Sequence, residues 1–106
     1  MKNLIELARV IRSKNAGPYE LTLDVIFKTP DIYDKVKTNQ LITKENISEL
    51  YGLKPNQISS IIYFDPAYAV KIVMPRRIVS GSRGDSDVYG AQQHAPLLNL
   101  ELNVNI

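Results

Sequence analysis

Two runs of strict alternation constrain this chain more than anything else in it. Leu98, Leu100, Leu102, Val104 and Ile106 alternate with Asn99, Glu101, Asn103 and Asn105, and Leu21, Leu23, Val25 and Phe27 alternate with Glu20, Thr22 and Asp24. A period of two puts every second side chain on one face, so each run predicts a strand with one buried and one polar face. Strands of that kind belong to sheets covered on one side only, typically antiparallel ones. Gly17-Pro18 punctuates the entry to the second run. Between Gln57 and Met74 the β-branched and aromatic density rises again. Asp65-Pro66-Ala67 splits it into two strand segments, 58–64 and 68–74, at hairpin spacing. In the second of these Tyr68, Val70, Ile72 and Met74 share a face. Pro75 ends the pairing, because it has no N–H to give to a ladder.

The middle third reads as helix. Thr29 caps, Pro30 occupies the first helical position, Asp31 and Asp34 suit the positive end of the dipole, and Ile32 and Val36 stand one turn apart, which predicts a helix to about Thr38. Thr43 repeats the capping logic with Glu45 behind it. Ile47, Leu50 and Tyr51 form an apolar stripe, and Gly52 stops the helix at positive φ with Leu53 folding back. The opening segment is ambiguous: Leu4, Leu7, Ala8 and Ile11 fit a helical stripe, while residues 7–12 fit a strand entering a loop at 13–17. The strand is taken, since pairing with Glu20–Phe27 enlarges the sheet.

The expected fold is therefore α+β: a single domain over residues 1–106, a two-layer sandwich of a mostly antiparallel sheet of about five strands with two short helices on one face, ferredoxin-like or a variant. A chain of 106 residues has room for one core, and 44 % apolar with 23 % charged residues is the composition of a globular domain. Without cysteine there is no disulfide framework and no thiolate chemistry. The acid at Glu6 and the lack of a long apolar run speak against a signal peptide or membrane span, and the expected location is cytoplasmic. A net charge of +2 from 13 basic and 11 acidic side chains is too balanced for binding nucleic acid through phosphate neutralisation alone.

The stretch 76–95 has no clear period and is longer than a compact domain usually allows an irregular connection to be. It holds Arg76, Arg77, Arg83, three of the five glycines and the only histidine. Val88-Tyr89-Gly90-Ala91 and Gln92-Gln93-His94 are not linker composition, so an ordered binding loop is favoured over a flexible one. Ser80-Gly81-Ser82-Arg83-Gly84 has the ingredients of an anion cradle and equally those of a small-residue turn; it lacks the spacing and lysine of a P-loop. Asp85, Asp87 and His94 do not have the spacing of a strong metal motif, and no metal or cofactor is expected. A second polar cluster, Arg12, Ser13, Lys14 and Asn15, can bind an anion with Arg83 if the two loops lie side by side. Tyr63, Phe64 and Tyr68 near Arg76 and Arg77 invite a base-stacking reading, but aromatic strand residues are more often core.

The segments Leu7-Ala8-Arg9-Val10-Ile11-Arg12-Ser13-Lys14-Asn15-Ala16-Gly17-Pro18-Tyr19-Glu20-Leu21-Thr22 and Gly81-Ser82-Arg83-Gly84-Asp85-Ser86-Asp87-Val88-Tyr89-Gly90-Ala91-Gln92-Gln93-His94-Ala95-Pro96-Leu97 resemble a family of small bacterial proteins, the domain of unknown function 4387. Members accompany a larger protein similar to AtuA, the acyclic terpene utilisation protein, and look like the ferredoxin-like domain that ends some of those proteins. There the first strand runs into an Arg-Ser-Gly-Asp-Lys-Gly loop, which Arg12-Ser13-Lys14-Asn15-Ala16-Gly17 resembles in part. The resemblance favours the strand for the opening segment and implies a partner and a catabolic setting. The function expected from it together with the polar clusters is an accessory subunit or domain of an AtuA-like catabolic protein, in a homo-oligomer or hetero-complex, with a site for an anionic organic acid or acyl-CoA. In that expected site, with Ser13 among its residues, Arg12, Lys14 and Arg83 hold the anion and the amides of Asn15, Gln92 and Gln93 orient it. His94 with Asp85 or Asp87 is the candidate for proton transfer. The competing expectation is a non-catalytic protein–protein interaction module.

Overall fold

The computed structural model describes residues 2–15, 20–75, 97 and 100–102. Strands β2 (Ala8–Asn15), β3 (Glu20–Phe27), β4 (Ser60–Phe64) and β5 (Ala69–Pro75) form a four-stranded antiparallel sheet in the order β2-β3-β5-β4. Two further short strands, β1 (Lys2–Asn3) and β6 (Glu101–Leu102), pair antiparallel with each other. Helices α2 (Pro30–Thr38) and α3 (Lys44–Tyr51) both fall between the two hairpins, and α1 (Leu4–Leu7) is a single turn. The domain is α+β with a mostly antiparallel sheet, as the alternation implies. Among the described residues the four-stranded sheet is connected as a hairpin, a helix pair and a second hairpin, a variant of the β-α-β-β-α-β order of the ferredoxin-like fold itself.

The capping residues act largely as their chemistry requires. Thr29 Oγ1 accepts from the Ile32 N–H at 3.2 Å, with Pro30 at the first helical position. Thr43 Oγ1 accepts from the Asn46 N–H, and the Asn46 side chain returns the bond to the Thr43 N–H at 3.0 Å. The reciprocal cap thus comes from Asn46, three residues into the helix, rather than from Glu45, because only the third position reaches back to the cap's own N–H. Gly52 ends α3 at φ 69°, and the Leu53 N–H turns back onto the Ser48 carbonyl at 2.8 Å.

The ambiguous opening segment is helix and strand in succession. Leu4 and Leu7, three apart, are both buried on one side of the single turn α1, and from Ala8 onward the chain is strand. The strand runs to Asn15, so Arg12, Ser13, Lys14 and Asn15 are strand residues and not the loop expected from residue 13. Ladder bonding to β3 through the pair Asn15↔Leu21 outweighs the turn chemistry of these small polar side chains. At the other end, residues 100–102 are the described part of the C-terminal run, with Glu101–Leu102 in strand β6. Leu100 and Leu102 are buried and Glu101 is exposed, as the alternation predicts.

One face of the sheet carries the core. Leu21, Leu23, Val25 and Phe27 of β3 and Val70, Ile72 and Met74 of β5 are all buried against Ile32, Tyr33 and Val36 of α2 and Ile47 of α3. Tyr33 lies at the centre of an aromatic group, with ring centroids 6.3 Å from Phe27, 6.2 Å from Tyr63 and 6.1 Å from Tyr68, all tilted. Tyr68 is not a member of β5. It adopts the left-handed region at φ 51° and closes the hairpin after the 3₁₀ turn Asp65–Ala67.

Candidate functional site

The period of two that buries the core also writes the opposite face. Across the sheet the register aligns Val10, Ile26, Ala69 and Phe64 in one row, and Arg12, Asp24, Lys71 and Ile62 in the next. A third row holds Lys14, Thr22, Val73 and Ser60. No described helix packs on these rows. Arg12 Nε donates to Asp24 Oδ2 at 3.2 Å, joining β2 to β3 across the sheet. Lys71 stands opposite Asp24 on β5 and is exposed, and among the described residues no carboxylate lies within 4.0 Å of its ammonium.

These rows enclose an open groove of about 260 Å³ lined by Arg12, Asp24, Ile26, Phe64, Ala67, Ala69 and Lys71. Ile26 and Ala69 make an apolar floor from the two central strands. Phe64 rises at one side, half exposed at 54 %. Among the described lining residues, two cations and one carboxylate on the other side make a net positive charge. Asp24 engages the Nε edge of Arg12, and the guanidinium has further N–H donors besides that one. A second depression of about 520 Å³ lies between α3 and β6, lined by Asn46, Glu49, Leu50, Leu100 and Glu101. Among the described residues its charged lining is two carboxylates. Among the described residues no group of three or more His, Cys, Asp or Glu side chains is placed to hold a metal ion.

A separate polar cluster ties the tip of the second hairpin to α2. The Tyr33 hydroxyl donates a short hydrogen bond to Asp65 Oδ1, and Lys37 Nζ donates to both Asp65 oxygens at 2.7 and 3.0 Å. These donors, Lys37 first and Tyr33 second, hold the Asp65 carboxyl below its ordinary range. Burial, and then the bond to Asp65, push the Tyr33 hydroxyl well above its own. Tyr63 is held on the core side, where its hydroxyl donates to the Ile42 carbonyl at 3.1 Å.

The strand alternation divides the first predicted cluster. Arg12 and Lys14 project on the groove face, whereas Ser13 and Asn15 lie in register with Leu23 and Leu21 on the core face, Ser13 being 6 % exposed. The four cannot meet one ligand together. Arg83, Asp85, Asp87, Gln92, Gln93 and His94 lie outside the described residues. Tyr63, Phe64 and Tyr68 do not form a stacking platform, since they occupy the core side, the open face and a turn respectively.

Sequence reasoning passed over Lys71 and Asp24 as site residues. The available signal was their position: Lys71 is the one charge in the apolar run 69–75, and Asp24 the one charge between Leu21 and Phe27. The pairing of β3 with β5 that makes them neighbours joins segments far apart in sequence.

The model of the family described as Domain of unknown function (DUF4387) matches residues 4–101. The chain belongs to that family. The match takes in both hairpins, both longer helices and every residue of the groove of this DUF4387 chain. No curated protein and no solved structure matches it. No helix among the described residues is long and apolar enough to cross a membrane.

Proposed function

We propose that this chain is an accessory subunit or domain of an AtuA-like catabolic protein, and that its open sheet face supplies part of a site for an anionic organic acid or acyl-CoA metabolite. The observation that carries the reading is the exposed Lys71 ammonium beside the Arg12–Asp24 pair, directly above an apolar floor of Ile26 and Ala69. A ligand that satisfies both halves has a carboxylate or phosphate at one end and a short hydrocarbon body at the other. Lysine offers a compact point charge and arginine a planar fork, so the two act together on a carboxylate.

At about 260 Å³ the groove falls below the ~300–1,000 Å³ of sites that enclose a whole drug-sized ligand. It holds a head group and a few carbons and leaves the remainder to a neighbouring surface, which is what an accessory role requires. From the sequence alone, Arg83, Gln92 and Gln93 join the ligand contacts, and His94 with Asp85 or Asp87 supplies proton transfer.

The reading is tested by NMR titration of the purified chain with butyrate, hexanoate and a short acyl-CoA. Shifts are expected at Ile26, Ala69 and Phe64, with affinity falling about tenfold in Lys71→Ala and again in Arg12→Ala, a loss of one charge-assisted contact each. Unchanged affinity in both variants overturns the site. Co-purification with an AtuA-like protein tests the partner. His94→Ala and Arg83→Ala then distinguish the two roles: lost turnover with an intact complex supports a site, and a lost complex supports a contact. The non-catalytic interaction module is the second reading. It is favoured by the exposure of Ile62 and Phe64 on that same face, and it predicts that Phe64→Asp abolishes the complex while Lys71→Ala does not.

A further inference from the structure

The two edges of the four-stranded sheet are built to opposite rules. Edge strand β2 carries exposed Arg9, Arg12 and Lys14, and its pairing is interrupted by a register shift between Ala8 and Val10. Charges and bulges of this sort are how sheets refuse further strands. Edge strand β4 reads Ser60-Ile61-Ile62-Tyr63-Phe64, with no charge and no proline, in unbroken register with β5 over all five residues. Among the described residues nothing pairs with its outer edge, and Ile62 and Phe64 are 49 % and 54 % exposed.

We propose that β4 is a self-pairing edge: two copies of this chain join their β4 strands antiparallel about a two-fold axis at Ile62, making one continuous eight-stranded sheet. The register follows from symmetry. Residues directly opposite in an antiparallel pair share a face, and a two-fold axis normal to the sheet keeps each face on its own side, so the axis falls on a residue. Only Ile62, the middle of the five, pairs the whole strand: Ser60 with Phe64 of the partner subunit, Ile61 with Tyr63 of the partner subunit, and Ile62 with Ile62 of the partner subunit.

Electrostatics permits this pairing at β4 and opposes it at β2. Two β2 strands brought together set Arg12 and Lys14 against their own copies. At β4 the nearest cation in the central row is Lys71, one strand inward. Two Lys71 residues across the axis are then three strand spacings apart, roughly 14 Å, beyond the Debye length of about 8 Å at physiological salt. The contact also bears on the groove, since Ser60 of the partner subunit comes to stand beside Phe64 at its rim.

A five-residue strand pair is a small interface, so the dimer is expected to be concentration-dependent. Light scattering across a dilution series should show a mass rising from 12.0 kDa toward twice that value. The absence of native cysteine makes crosslinking unambiguous. Under mild oxidation Ile62→Cys should give a disulfide dimer, because paired Cα atoms about 4.5–5.5 Å apart lie within disulfide reach. Ser60→Cys and Lys14→Cys should not. Ile62→Lys, at an exposed position, should keep the wild-type circular dichroism and melt while remaining a monomer at the highest concentration. A monomer mass throughout the series overturns the proposal, as does crosslinking by Ser60→Cys or Lys14→Cys as fast as by Ile62→Cys. A monomeric free chain whose complex with a different protein is lost in Ile62→Lys also overturns it, in favour of a foreign strand at the same edge.

Discussion

Alternate residues of β3 face two environments, and the two faces of the sheet differ in what they carry. On one, Leu21, Leu23, Val25 and Phe27 are almost wholly excluded from solvent beneath α2 and α3. On the other, Glu20, Thr22, Asp24 and Ile26 form rows with Arg12, Lys71 and Phe64 that no described helix covers. A face devoted to stability tolerates no charge. A face that sets charges beside apolar side chains leaves both open to solvent and gains little from burial. Thr22 shows that the division is not merely one of polarity: it sits in the outer row between Lys14 and Val73 and is nevertheless 2 % exposed.

The sharpest way to break the comparison is to truncate matched residues on each side. Leu23→Ala should cost ~2–5 kcal/mol in urea unfolding, the usual range for a buried leucine, while Ile62→Ala on the open face should stay within about 0.5 kcal/mol. Equal losses would show that the outer rows are core as well. Next in size is Tyr33→Phe, which removes a buried donor that reaches from α2 to Asp65. A loss of ~1 kcal/mol is expected, measured as a lower midpoint with an unchanged slope.

A smaller effect should appear in acid. The folded-state pKa of Asp65 is depressed, so its contribution is fully present above the unfolded value of 3.8 and fades as pH falls through the lower folded value. The melting temperature of wild type should therefore drop more steeply below about pH 4 than that of Asp65→Asn. Parallel profiles would remove Asp65 from the acid response. The least effect on stability belongs to Arg12→Ala. Arg12 is 60 % exposed, and an exposed ion pair contributes little, so a change under about 0.5 kcal/mol is expected alongside weaker binding of hexanoate. A large destabilisation would make Arg12 structural.

Local chemistry made much of this architecture readable in advance. Alternation announced β3, and the caps at Thr29 and Thr43 and the left-handed Gly52 bounded α2 and α3, because each depends on residues within a turn of one another. The Asp65-Pro66-Ala67 break placed the second hairpin for the same reason. The length of β2 was less readable, since polar residues from Ser13 to Asn15 look like a turn until a neighbouring strand supplies ladder partners. The groove was hidden more deeply. Asp24 and Lys71 are ordinary surface charges in one dimension, and they become a site only through the pairing of β3 with β5, which no short window contains. Of the predicted site residues, Arg12 and Lys14 share the groove face, and Ser13 and Asn15 are turned to the core by the pleat.

The clasp of Tyr33 and Lys37 on Asp65 has a consequence for the groove. Asp65 directly follows Phe64 and precedes Ala67 by two, and both of those line the groove, so its rim is tethered through one carboxylate to the helix on the far layer. The groove's rim is thus pinned by a contact made to the opposite layer, so a substitution at Asp65 reaches both the hairpin tip and α2.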